Sequence, residues 1–354
     1  MIKYLGSKRR LVPVIAALAS GCGARTAADL FTGTTRVAQA LKALGIHVTA
    51  IDTATYSEIF ARTYIATDGG SVERAELEAA VRALDALLPA PGYFTDAFCL
   101  DARYLHPSNG GRVDAVRDAI EERYSGSELY PLLLTSLIEA ADRVDSTTGV
   151  QMAYLKQWAP RALQPMRMRA PDLLCGAGAA LLGDASELAS RIGPVDFAYL
   201  DPPYNQHRYY TNYHVWETLV RWDAPAHYGV ACKRVDARDH ESRSAFNSRR
   251  TMPGALAKVV SDIDAKVVAV SCNDESWISR DELVELCSAR GHVEILEFGS
   301  QRYVGAKIGI YSPLGEAVGE ISHLRNVERI AVCGDRREVD AAISGASALA
   351  PLPR

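Results

Sequence analysis

The 354-residue sequence is short of several things at once, and each shortage removes a class of protein. Its seven cysteines (Cys22, Cys99, Cys175, Cys232, Cys272, Cys287 and Cys333) are scattered, with no Cys-x-x-Cys pair. An odd, dispersed set argues against a disulfide framework and a structural zinc site, so no metal is expected. No stretch approaches the roughly 18 consecutive apolar residues of a membrane-spanning helix. The opening Met1-Ile2-Lys3-Tyr4 carries no apolar signal segment, and the expected location is the cytoplasm. Basic charge is not in excess: 39 Lys and Arg against 43 Asp and Glu leave a net charge of −4. That argues against a general nucleic-acid coat protein but not against a DNA enzyme with segregated charge. Segregation is visible. Arg161, Arg167 and Arg169 form one cluster, and Lys233, Arg234, Arg238, Arg243, Arg249 and Arg250 another. Each is either a phosphate-facing patch or a solvated surface.

What is present is an alternation of short apolar runs and helical patterns. Ala27 to Leu30 and His47 to Ile51 read as strands flanking a helix over Val37 to Leu44, the βαβ start of a doubly wound sheet. Residues 55–88 read as helical until Pro89-Ala-Pro91-Gly92 breaks the pattern. From Tyr93 to about Leu174 loop signals alternate with helices near 112–124 and 127–143, which suggests an insertion in the sheet. Strands resume near Ala179 to Leu182, at Val195 to Leu200 and at Lys266 to Ser271, with a helix over Asp281 to Ser288 capped at Ser279. His292 to Phe298 and Lys307 to Tyr311 read as a closing antiparallel pair, and the tail from about Ala341 as disordered. Residues 204–254 form a long polar and aromatic connection, and one of that length inside a compact domain is usually functional or mobile.

The most informative letters are Asp201-Pro202-Pro203-Tyr204, directly after the Val195 to Leu200 strand. Ligands bind beyond the carboxyl ends of strands in open α/β sheets. Two prolines stiffen the turn, so its carbonyls can face a pocket. Asp201 and the Pro202 carbonyl can accept both hydrogens of an exocyclic amine, and Tyr204 can stack on its ring; adenine presents such an amine. The plainer reading is an Asp-Pro turn. Asp29-Leu-Phe31-Thr-Gly33 follows the first strand, where Gly33 permits close backbone approach at a helix amino end. Asp52 lies 19 residues beyond Gly33, a spacing that suits ribose hydroxyls. The loop is neither Gly-x-Gly-x-x-Gly nor a Walker-type Gly-Lys loop, which disfavours a dinucleotide or a nucleotide phosphate and leaves a nucleoside with an amino-acid tail, such as S-adenosylmethionine. The alternative is a tight turn without a ligand. Tyr4-Leu-Gly6-Ser-Lys8 reads alone as a helix cap, and Asp184 as an N-cap. His207, Tyr209, Tyr210, Asn212, Tyr213, His214 and Trp216 suit base stacking around an extruded nucleotide, or else a packed hydrophobic cluster. Metal ligation by His207 and His214 lacks a completing Cys or carboxylate.

Taken in order, these elements resemble the alpha group of DNA adenine-N6 methyltransferases, the Dam-type class. Tyr4, Gly6 and Lys8 come first, then Asp29, Phe31 and Gly33, then Asp52, an inserted region, and Asp201-Pro-Pro-Tyr204. Within the class the chain looks most like methylases of type IIS restriction-modification systems. The segments that carry that likeness are Thr147-Thr-Gly149-Val150 with Tyr154-Leu-Lys156, Asn205 to Tyr209, Asn212 to Glu217, Lys233-Arg234 and Ser244 to Asn247. The resemblance covers roughly residues 1–315. It departs from the pattern at Thr35 and Ser7, where many relatives carry glycine.

The resemblance implies a doubly wound, Rossmann-like S-adenosylmethionine-dependent methyltransferase sheet of class α/β with an inserted, mainly helical target-recognition region. The catalytic domain would comprise 1–92 and 175–315, the insertion 93–174, a DNA-facing loop 205–254, and a C-terminal extension 316–354. Tyr4, Gly6, Lys8, Asp29, Phe31, Gly33, Asp52, Asp184 and Asp201 would line the cofactor site. Asp201, Pro202, Pro203 and Tyr204 would hold a flipped adenine for direct methyl transfer. Lys156, Arg161, His207, Tyr209, Asn212, Tyr213, Lys233 and Arg234 would face double-stranded DNA. As a restriction-modification methylase the chain would have a cognate restriction endonuclease acting separately; as an orphan methylase it would have none. Two rivals stay open at this point: an RNA base methyltransferase, since Asp-Pro-Pro-Tyr also occurs in RNA guanine-N2 enzymes, and a non-catalytic DNA-binding regulator that keeps the cofactor fold.

Overall fold

The computed structural model describes residues 2–4, 8–151, 157–203, 209–239, 244–301, 310–311, 317–319 and 325–349. The strands in chain order are β1 (Thr26–Asp29), β2 (His47–Asp52), β3 (Ala179–Leu182), β4 (Val195–Leu200), β5 (His227–Tyr228), β6 (Lys233–Arg234), β7 (Ala265–Asn273), β8 (His292–Gln301), β9 (Ile310–Tyr311), β10 (Ala317–Gly319) and β11 (Arg325–Gly334). Seven of them build one sheet in the order β3-β2-β1-β4-β7-β11-β8. The pairs from β3 across to β7 are parallel, and β11 runs antiparallel to both β7 and β8. Chain order reverses at β1 and β4, and such a switch point opens a crevice beyond the strands' carboxyl ends. This is the expected doubly wound, Rossmann-like sheet.

Val267, Val268, Ala269 and Val270 are all fully buried, because helices cover both faces of the sheet. Alternation sorts these faces. Phe197 and Tyr199 of β4 join one core, and Ala198 and Leu200 join the other. Asp201 follows on the Phe197–Tyr199 side.

On that first face pack α1 (Val12–Gly21), α2 (Arg36–Ala43), α3 (Thr55–Ala61), α4 (Arg74–Asp85), α5 (Pro107–Tyr124) and α6 (Leu129–Arg143). A single π turn over Arg62–Ala66 extends α3, so the expected helix over 55–88 is present in interrupted form. No strand occurs among the described residues of 93–174. Helices α5 and α6 there share the core with β1, β4 and β7, and α6 buries Leu132 through Asp142 without a break. The short helices α7 (Ala185–Leu188), α8 (Tyr209–Asn212) and α9 (His214–Arg221) lie beside the crevice; α10 (Met252–Asp262) and α11 (Arg280–Ser288) cover the second face. Helix α11 opens with a full capping box between Ser279 and Glu282, as its sequence promised.

Two expectations fail. Of the segment Lys307 to Tyr311 expected to close against the strand at His292, residues 307–309 lie outside the described residues, and Ile310–Tyr311 does not pair with that strand. The His292 strand pairs with Arg325–Gly334, while Ile310–Tyr311 pairs with Ala317–Gly319. The run Ile330 to Cys333, fully buried between two strands, carries the stronger drive to complete the sheet. The expected disorder does not begin at Ala341 either: residues 350–354 lie outside the described residues, and Arg336–Leu349 forms a helix, α12. Its Val339, Ala342 and Ala346 reach the core, and its Gly345 meets Gly21 of α1 so closely that a Cβ there would lie 2.4 Å from the Gly21 Cα. Small residues in a tail are read as disorder; here they let two helices touch.

Candidate active site

The crevice at the switch point is a cleft of about 720 Å³. Tyr4, Lys8, Asp29, Phe31, Gly33, Asp52, Asp184, Asp201, Pro203 and Tyr209 all line it, so residues spread over 200 positions of sequence meet in one place. Gly6, Tyr204, His207 and Lys156 lie outside the described residues.

Its floor is acidic and partly desolvated. Asp29 ends β1 and is 1% exposed. Its Oδ2 accepts from Thr32 Oγ1 at 3.0 Å, while its Oδ1 is buried without a hydrogen-bond partner. Burial pushes its carboxyl up to about 7, against the Thr32 hydrogen bond and with help from the charges of Asp201 and Asp52. Asp52 ends β2. Its Oδ2 accepts from the Gly33 amide at 2.8 Å and its Oδ1 from the Ala54 amide at 3.0 Å, and burial raises its pKa against those bonds. The acidic strand end is therefore tied to the glycine loop, and the two move as a unit.

Asp201 stands where β4 leaves the sheet. Its Oδ1 lies 3.1 Å from Lys8 Nζ, and 19% of its side chain is exposed. Burial raises its carboxyl to about 6, Lys8 lowers it, and Glu328 raises it. Pro202 is buried and Pro203 lines the cleft. Asp184 lines it too, and it caps α7 by accepting from the Ser186 amide at 2.8 Å.

The loop between β1 and α2 has its own constraint. Gly33 has φ +51, and a Cβ there would come within 3.2 Å of the Tyr4 ring. Thr35 takes φ 62 as a β-branched residue, a strained choice that explains why glycine suits this position. Its hydroxyl donates to the Thr34 carbonyl at 2.7 Å and accepts from Gln39 Nε2 at 2.8 Å. Tyr4 stacks on Tyr213 (ring centroids 4.6 Å apart, 18° between planes) and on Tyr209 (5.4 Å, 23°). This shelf forms one wall.

The residues singled out for DNA contact divide. Tyr209 lines the cleft, but Tyr213 is 1% exposed and serves as packing behind Tyr4. Asn212 is buried, its Nδ2 without a hydrogen-bond partner. Lys233 is half-buried on the β5–β6 ribbon. Arg234 is 1% exposed and gripped by two carboxylates, with Nη1 and Nη2 at 2.7 and 2.6 Å from Asp223 and Nη2 at 2.6 Å from Asp236. Arg161 ties down its own loop, donating to Asp145 at 2.9 Å and to the Thr147 carbonyl at 2.6 Å. Composition could not tell a phosphate-facing arginine from one that staples a fold. His214 is fully buried between the Thr211 and Ala231 carbonyls, and burial lowers its pKa to about 4.

Sequence reasoning passed over two carboxylates. Glu217 lines the cleft at 2% exposure, accepts from the Thr55 amide at 3.0 Å, and is pushed up to about 7 by burial. Its place at helical spacing from Tyr213 was the available signal. Glu328 of β11 lies 3.4 Å from Lys8, and no motif marked it.

A desolvated carboxylate with an unpartnered oxygen, a second carboxylate at the next strand end and an aromatic wall fit a nucleoside with a cationic tail. The comparisons agree. Type II methyltransferase M.NlaIII of Neisseria lactamica is 28% identical over 321 residues, covering 86% of this chain and 93% of its own. Modification methylase StsI of Streptococcus sanguinis is 27% identical over 323 residues, 85% of this chain but 49% of its own, so the chain spans about half of that relative. Type II methyltransferase M.CviAII of Paramecium bursaria Chlorella virus 1 is 30% identical over 219 residues, 60% of this chain and 64% of its own. The profile of the D12 class N6 adenine-specific DNA methyltransferases matches residues 4–286, and the chain belongs to that family, whose methyl donor is S-adenosylmethionine.

Proposed function

We propose that the cleft performs the family's reaction with Asp201, Pro202, Pro203 and Tyr204 holding an extruded adenine, and Tyr4, Lys8, Asp29, Phe31, Gly33, Asp52 and Asp184 holding the methyl donor. The observation that carries this reading is Asp201 itself. It is a carboxylate at the switch point, paired to Lys8 through one oxygen, with the cleft in front of it. Its Oδ2 and the Pro202 carbonyl are the acceptors for the two N6 hydrogens of adenine. Hydrogen bonds to both draw the nitrogen toward a tetrahedral shape and free its lone pair for attack. Tyr204 supplies a stacking face, worth about 1–3 kcal/mol per base, to offset the few kcal/mol of extruding the base from duplex DNA.

The bound S-adenosylmethionine supplies an electrophilic methyl group on a cationic sulfur. The chain's share is binding and orientation. Asp52 accepts from ribose hydroxyls, the unpartnered Asp29 Oδ1 faces positive charge, and Tyr4 over Gly33 closes the wall. Positioning of this kind contributes up to about 7–11 kcal/mol to lowering a barrier. No covalent enzyme intermediate is required.

Target recognition belongs to residues 93–174 and 205–254, with Lys156, His207, Tyr209 and Lys233 as contacts. The relatives are named type II methyltransferases and modification methylases, which supports a cytoplasmic enzyme with a separate cognate endonuclease. No helix among the described residues is long and apolar enough to cross a membrane.

The test is transfer of labelled methyl from S-adenosylmethionine to long duplex DNA of mixed sequence, followed by digestion to nucleosides. Label in N6-methyldeoxyadenosine is expected for the native chain. Asp201→Ala and Tyr204→Ala should abolish it while the circular dichroism stays native. Native rates in both variants would refute the assignment.

A further inference from the structure

The family profile ends at residue 286, yet the sheet does not. Strand β11 enters it next to β7, with Glu328 in register with Asn273 of β7 and Phe298 of β8. Because β11 runs antiparallel to β7, its first residues lie at the sheet edge where the parallel strands deliver their carboxyl ends. Alternation places Glu328 on the same face as Ile330 and Val332, whose core also contains Tyr199 and α1. That is the face of Asp201. The result is a chain of charges: Asp201 Oδ1 at 3.1 Å from Lys8 Nζ, and Glu328 Oε2 at 3.4 Å from the same nitrogen. The Lys8 side chain is 7% exposed, and the two carboxylates are 19% exposed each.

We infer that Glu328 is a positioning residue for methyl transfer, sharing the Lys8 ammonium with Asp201 so that Asp201 stays paired while keeping acceptor strength for the target amine. The inference rests on the role of Asp201 proposed above. One cation between two carboxylates leaves the trio with a net negative charge, whereas an Asp201–Lys8 pair alone would be neutral. A carboxylate fully neutralised by a desolvated ammonium is a poorer acceptor for a third group, and Glu328 prevents that neutralisation. It also anchors Lys8 from the far side.

Among the described residues, the titratable groups facing Asp201 are Lys8 before α1, Asp29 of β1, Tyr199 of β4, Cys272 of β7 and Glu328 of β11. Among these, Glu328 opposes ionisation of Asp201 and Lys8 favours it. Removing the Glu328 charge therefore lowers the Asp201 pKa, and the acid limb of activity moves to lower pH as kcat falls.

The experiment compares the native chain with Glu328→Gln, Glu328→Asp and Asp201→Asn, measuring kcat and DNA KM from pH 5 to 9, donor affinity by calorimetry, and thermal unfolding. Glu328→Gln should lower kcat roughly tenfold, the scale of one lost charge-assisted hydrogen bond. It should leave DNA KM and donor affinity within about twofold, and shift the acid limb down by roughly half to one pH unit. Glu328→Asp, which keeps the charge, should restore part of kcat and the native limb. A native kcat and an unmoved limb in Glu328→Gln, beside an inactive Asp201→Asn, overturns this inference and leaves the Asp201 reading standing. A lower kcat with a lower melting point and an unmoved limb overturns it as well, since that is packing alone. An active Asp201→Asn overturns the reading beneath it.

Discussion

Protonation of Asp29 should govern how tightly the methyl donor binds. The folded carboxyl titrates near 7 because it is desolvated and faces Asp201 and Asp52. S-adenosylmethionine carries positive charge, so binding favours the carboxylate. If only the ionised form binds, the apparent Kd scales as one plus ten to the power of pKa minus pH. Between pH 8 and 5.5 that is a roughly 30-fold loss of affinity, about 2 kcal/mol. Asp201, near 6, steepens the fall only at the acid end. Isothermal calorimetry with the donor or its demethylated product across this range measures the effect directly. Asp29→Asn should bind at pH 8 about as weakly as the native chain at pH 5.5, with little further change. A native Kd flat within about threefold over the range, or an Asn variant with the native pH dependence, would refute the reasoning.

The same shift acts on the fold with the opposite sign. A carboxyl raised from about 3.9 unfolded to about 7 folded makes the native state bind more protons between those values. Stability of the unliganded chain should thus rise as pH falls from 8 to 6, seen as a higher Tm, and Glu217, also near 7, adds to it. Arg234→Met should leave Asp223 and Asp236 with only the more exposed Arg221, 3.1 and 3.2 Å from them, in place of the two-cation cluster. Those carboxylates are 31% and 32% exposed, so the cost is about 2–3 kcal/mol rather than that of a fully buried pair, and the melting point should fall by several degrees. Gly345→Ala should drive α12 off α1 and cost about 1–3 kcal/mol in denaturant unfolding, with kcat per folded molecule unchanged.

Much of the site was legible because its chemistry is written at strand ends. An apolar run followed by Asp-Pro-Pro, or by Asp-x-Phe-x-Gly, gives both the strand and the ligand-facing turn. The 19-residue step from Gly33 to Asp52 became a hydrogen bond of 2.8 Å. What was not legible depended on which partner a strand or charge would choose. Lys307 to Tyr311 read as the partner of His292 to Phe298, and no turn signal or spacing marked Arg325–Gly334 as the strand that takes that place. Arg234 read as a DNA contact until its burial and its carboxylate partners, 2 and 11 positions away, came into view. Glu328 was hidden for the same reason, 320 positions from Lys8.

The interleaving of β11 between β7 and β8 bears on how the chain emerges from the ribosome. When β8 has been made, it has no neighbour in the sheet, because among the described residues its partner there is a strand that starts at Arg325. Until then β7, with its run of buried valines, presents an open apolar edge to the cell, the kind of edge that pairs with stray strands. Synthesis at about 5–20 residues per second keeps that edge bare for several seconds. A chain halted anywhere between β8 and β11 would hold nearly every motif of the catalytic cleft and still be a hazard rather than an enzyme.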